Sequence, residues 1–164
     1  MAIMIPSELA GLLSVLGYDW PQSNEDKLMD LGQAWNDFAG ELTDVGGEAG
    51  TQASRTWDEQ VGRDIDAFKT WWEGEDGPPH FFESGSMGAM AAGTGMMICS
   101  VMVLGLKIMV IVQLAILAVQ IAIAIAQAAI TFGASLLQVP IFKQITGEVL
   151  GVIIDQVVSR LLEA

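Results

Sequence analysis

The chain has 164 residues, 52% of them hydrophobic, which is ample for a core and places one compact domain or one long helical unit first among architectures. Its 20 acidic and 7 basic side chains give a formal charge of −13. That charge lies in the first half of the chain, where it repels phosphate and so disfavours nucleic-acid binding and, for that half, attraction to anionic lipid head groups.

The single cysteine, Cys99, leaves no intrachain disulfide and no Cys-based zinc site. The N-terminal stretch "MAIMIPSELAGLLSVLG" has no basic start and carries Glu8 in its apolar part, so a cleaved secretory signal is not expected. Pro6, Ser7 and Glu8 followed by Leu9, Leu12, Leu13 and Leu16 predict a short amphipathic helix stopped by Gly17.

After the break "YDWPQ", Ser23 or Asn24 caps a second helix, with Glu25 and Asp26 in its first turn, where negative charge suits the backbone dipole. Leu28, Leu31, Trp35, Phe38, Leu42 and Val45 then recur at spacings of three and four, a seam suited to a near-parallel neighbouring helix. Gly46, Gly47 and Gly50 each cost about 1 kcal/mol relative to Ala inside a helix, so the run to Thr56 needs tertiary contact or frays. A second acidic helix, Asp58 to Trp72, sets Val61, Ile65, Phe68 and Trp72 on one face and ends at the obligatory break "EGEDGPP".

Through Met97 there are 17 acidic and 4 basic residues, whereas residues 98–164 have three of each, so the two halves differ chemically. Phe81 to Phe132 is Gly/Met/Ala-rich and then almost continuously apolar, with Lys107 the only charge between Glu83 and Lys143. The "QIAIAIAQAAI" piece alternates Ile with Ala, but the apolar run far exceeds a strand, so a helix is predicted. Gly133 and Ser135 interrupt it, and Pro140 opens a last, amphipathic helix with apolar positions Ile145, Val149, Val152, Ile153, Val157 and Leu161.

The eleven Leu, Ile and Val residues from Ile108 to Ala126 favour a bilayer by roughly 3 to 7 kcal/mol on an insertion scale. A helix from Ile98 to Ile130, however, would be about 50 Å long against a hydrocarbon core of about 30 Å, and burial in an assembly explains the length equally well. Ala115, Ala118, Ala122, Ala126 and Ala129 form a small-residue ridge that permits close helix approach in either solvent. Gln113, Gln120 and Gln127 recur every seven residues, a stripe for helix–helix hydrogen bonding or for lining a pore.

No credible catalytic constellation emerges. His80, the only histidine, is expected in a loop after two prolines, and the acidic pairs Asp64/Asp66 and Glu75/Asp76 read as solvated charge. The methionines, Met87, Met90, Met96 and Met97 among them, read as flexible core filling, and no glycine motif for nucleotide binding is present. No enzymatic activity, cofactor or metal is therefore expected.

"IPSEL", then "GYDWPQSNEDKLMDLGQAW", a Trp-headed turn, "DAFKTWW" and a long apolar helix ending in "FGAS" together resemble the WXG-like N-terminal domain of actinobacterial polymorphic toxins, a type related to the N-terminal region of an outer-membrane channel toxin. The resemblance runs from Ile5 to about Leu162. It implies a helical hairpin with a Trp-x-Gly motif at its bend and export by a leaderless, type VII route. Trp57 matches the family tryptophan, although the sequence reads Trp57-Asp58-Glu59, without the glycine. Type VII substrates also resemble one another in a Tyr-x-x-x-Asp/Glu signal after the hairpin, whereas the only tyrosine here, Tyr18, precedes it and has Gln22 four residues on.

The expectation is thus an all-α chain, a single WXG-like domain over 1–164, with an acidic helical hairpin at 22–73 and an apolar helical region at 81–164. Leu28, Leu31, Trp35, Phe38, Trp57, Phe68 and Trp72 are its packing and partner seam. The expected partners are small WXG-like helical-hairpin proteins or a second copy, the expected location secreted or associated with the cell envelope. Entry of the apolar region into a membrane is the alternative.

Overall fold

A computed structural model describes residues 2–163; Met1, Ala164 and the side chain of Glu163 lie outside the described residues. Among the described residues there are five α-helices, α1 (Ser7–Val15), α2 (Glu25–Glu59), α3 (Arg63–Trp72), α4 (Pro78–Ala128) and α5 (Val139–Glu163), with a 3-10 segment, Ala134–Gln138, before the last. No strand occurs among the described residues, in line with the all-α expectation.

The punctuation follows local chemistry. Gly17 takes φ +83° beyond α1, a left-handed conformation that glycine adopts without strain. Asn24 caps α2, its Oδ1 accepting the Lys27 N–H at 3.0 Å. Pro78 opens α4, where its fixed φ and missing N–H do no harm. At the other end the Gly133 N–H reaches back to the Ala128 carbonyl at 2.8 Å, with Gly133 at φ +87°. His80, expected in a loop, sits in the first turn of α4 because the prolines before it begin that helix.

The chain forms two compact units, and their boundaries fall inside α2 and α4, between residues 27 and 28 and between 97 and 98.

In the unit Leu28–Met97, α2 packs on α4 through small residues. Gly32, Ala39 and Ala53 on α2 and Ala89, Gly93 and Ser86 on α4 are buried. A Cβ at Gly32 would stand 2.8 Å from the Gly93 carbonyl oxygen, and one at Gly93 would stand 2.7 Å from the Gly32 carbonyl oxygen, so the two backbones meet where no other residue fits. Further along, Ser86 Oγ donates to the Ala39 carbonyl at 2.9 Å and pairs with Thr43 Oγ1 at 2.9 Å. Gly46 lies against the Phe82 ring, which is the tertiary contact that carries α2 through its glycines.

The other unit comprises the first 27 residues and the segment from Ile98 onward. Leu13 of α1, Leu106, Val110 and Leu114 of α4 and Leu150 of α5 form its core, with Leu9, Leu12, Leu16 and Trp20 packed around them. Full burial of Leu114, Leu117 and Leu150 contributes about 1.5 to 3 kcal/mol each. Tyr18 ties the N-terminal segment to α5 by donating its hydroxyl proton to the Gly147 carbonyl at 3.0 Å.

The last helix departs from the amphipathic expectation. Ile153 and Val157 face the core, but Ile145, Val149 and Val152 face solvent while Leu150 and Thr146 are buried. Apolar residues occupy more than one side of α5, so periodicity alone does not select the buried one.

Candidate functional site

Two apolar clusters in the unit Leu28–Met97 hold the seven residues of the seam. Because α2 meets α4 through its small-residue face, the large side chains on the neighbouring face have no covering helix. Leu31, Trp35 and Phe38 are exposed, and Leu28 is half-buried. Trp35 and Phe38 pack edge to face with ring centroids 6.0 Å apart, and with Leu31 and Ala34 they border a shallow hollow of about 260 Å³.

The second cluster caps the end of α2. Phe68 lies at its centre, 5.9 Å from the Trp57 ring and 6.0 Å from both Trp71 and Trp72. Lys69 Nζ sits 5.7 Å from the Trp57 ring centroid, a contact worth about 0.5 to 1 kcal/mol at an exposed site. Trp57, Phe68 and Trp72 are half-buried and Trp71 is exposed. About 28 Å of helix separates Phe38 from Trp57 at 1.5 Å per residue, so the structure divides the seam into two surfaces.

The bend itself resolves the missing glycine of the Trp57-Asp58-Glu59 motif. All three residues remain in α2, and the reversal occurs at Gly62, whose φ of +154° and ψ of 160° belong to a region essentially reserved for glycine. The glycine that the turn requires stands three positions beyond Glu59.

One buried polar centre escaped the sequence reading. Lys107, 1% exposed, places Nζ 2.7 Å from the Glu25 carboxylate and 2.6 Å from the Ser23 carbonyl, with the Trp20 ring centroid at 5.9 Å. The Ile3 N–H also donates to Glu25. Hydrogen bonding from Lys107 holds the Glu25 carboxyl well below its usual range, at about 2, against the opposing effect of burial. Because the ammonium and carboxylate saturate each other, this centre is a structural clamp. Its one sequence signal was a lone lysine in an apolar run.

Of the glutamine stripe, Gln113 and Gln120 are half-buried and Gln127 is exposed. Asp64, Asp66, Glu75 and Asp76 are exposed, and no metal-binding group of His, Cys, Asp and Glu occurs among the described residues.

A family model described as the WXG100 like domain matches residues 4–149. No curated protein and no solved structure gives a significant match.

Proposed function

Since the chain belongs to the WXG100-like domain family, whose members are helical proteins of type VII secretion, we propose that it is a non-enzymatic targeting module that recruits a small helical-hairpin protein onto the outer face of α2. The observation that carries this reading is the exposure of Leu31, Trp35 and Phe38 beside a small-residue face already occupied by α4. Exposed aromatic anchors around a hollow are the form of an interface hot spot. The aromatic cap of Trp57, Phe68, Trp71 and Trp72 is a second contact surface of this type VII secretion substrate or polymorphic-toxin domain.

Co-expression of the full chain with small helical-hairpin proteins, followed by mass measurement of the intact assembly, tests the reading. Trp35→Asp with Phe38→Asp is expected to abolish co-purification, and circular dichroism of the variant checks that the chain remains helical despite the loss of the ring pair. Retention of the complex by the double variant refutes the site.

A second reading, membrane association, has its own observation. Only 22% of the most apolar 18-residue window of α4 is buried, although α4 is long and apolar enough to cross a bilayer.

A further inference from the structure

The turn between α4 and α5 buries the Ser135 hydroxyl and exposes a group of large apolar side chains. Ser135 is buried, its Oγ donating to the Ala124 carbonyl at 2.7 Å, and Thr131 Oγ1 donates to the Ser135 Oγ at 3.1 Å. The Gly133 N–H is satisfied by Ala128. With these groups satisfied internally, Ile130, Phe132, Leu136, Leu137 and Ile141 are all exposed. Phe132 is 99% exposed and holds φ at +51°, the left-handed region that a bulky side chain rarely enters. Nothing in the fold compensates that conformation by packing the ring, and strain of this kind concentrates where a surface is used.

Charge is absent from the whole neighbourhood in sequence, for no Asp, Glu, Lys or Arg occurs between Lys107 and Lys143. The exposed polar groups beside it, Gln127, Thr131 and Gln138, are all neutral, and the 35 uncharged residues are followed, two residues beyond Ile141, by a lysine whose stem can reach along an interface.

We infer that this turn is a lipid-contacting tip, which lowers Ile130, Phe132 and Leu137 into the boundary between head groups and acyl chains of a neutral bilayer. The inference rests on the membrane reading and assigns it a place. Insertion is driven by apolar burial to a depth of about 5 to 10 Å, and the half of the chain that carries the tip, with three acidic and three basic residues, has no net attraction to anionic head groups.

Flotation of the full chain with phosphatidylcholine vesicles, and with the same vesicles containing phosphatidylglycerol, provides the test, alongside the variant Phe132→Asp/Leu137→Asp. Both residues are exposed, so the variant is expected to keep its circular dichroism and its mass in solution while its vesicle-bound fraction falls at least tenfold. Equal flotation of variant and parent chain overturns the tip but leaves the membrane reading standing. Absence of flotation by the parent chain overturns both. Binding confined to the anionic vesicles overturns the neutral-lipid assignment, and a fall from dimer to monomer on substitution assigns the patch to a second copy of the chain instead.

Discussion

Replacing Glu25 by Gln keeps the size of the side chain but removes the carboxylate that faces Lys107 Nζ at 2.7 Å. The ammonium is then left without a counter-charge, with only neutral acceptors, the Ser23 carbonyl at 2.6 Å and an amide oxygen, and the face of Trp20, in a site that is 1% exposed. Stranding one member of a buried ion pair costs about 3 to 5 kcal/mol, because desolvation of the remaining charge is no longer offset. At about 2 to 4 °C per kcal/mol for a chain of this size, the melting temperature should fall by about 6 to 20 °C. Lys107→Met strands the carboxylate instead and should cost a similar amount, whereas the double variant carries no buried charge and should lie close to the parent chain. Urea unfolding of all four proteins by circular dichroism gives the coupling energy directly. Single variants within about 0.5 kcal/mol of the parent, or a double variant that loses the sum of the two singles, would falsify the clamp.

Two further outcomes follow from geometry. The folded chain holds the Glu25 carboxyl at about 2 against an ordinary value of 4.5, so the unfolded chain binds more protons between those limits. The pair's contribution is complete above about pH 4.5 and is lost as the pH falls toward 2; an acid titration of stability should show this loss in the parent chain and not in Glu25→Gln. Gly62→Ala should cost about 1 to 3 kcal/mol through backbone strain alone, since no atom lies within 4 Å of the added Cβ, while Gly47→Ala, equally open but helical, should stabilise by up to about 1 kcal/mol. Thermal melts distinguish the two, and equal effects of the same sign refute the conformational argument.

The helices were legible because their boundaries are written in short-range chemistry: Asn24 as a cap, Gly17 and Gly133 as stops, Pro78 as a start. Side-chain size misdirects the choice of packing face. The Leu31–Trp35–Phe38 row stands out in the sequence as a helix seam, yet α2 turns Gly32, Asn36, Ala39, Thr43 and Gly46 toward α4, because close backbone approach selects small residues that periodicity scores ignore. The ion pair joins residues 82 positions apart, and neither helix propensity nor motif spacing connects them. Gly62 was visible as a residue but not as the turn residue, since the family pattern draws attention to position 59.

The unit that contains α1 is discontinuous in the chain, and that governs the order in which it matures on the ribosome. Leu13 shares its core with Leu150, which is made 137 residues later, an interval of about 7 to 27 s at 5 to 20 residues per second. Until Leu106, Val110 and Leu114 of α4 are made the nascent α1 has no native surface to cover it, and its core is complete only once α5 emerges, so any factor that reads α1 has its opportunity during synthesis.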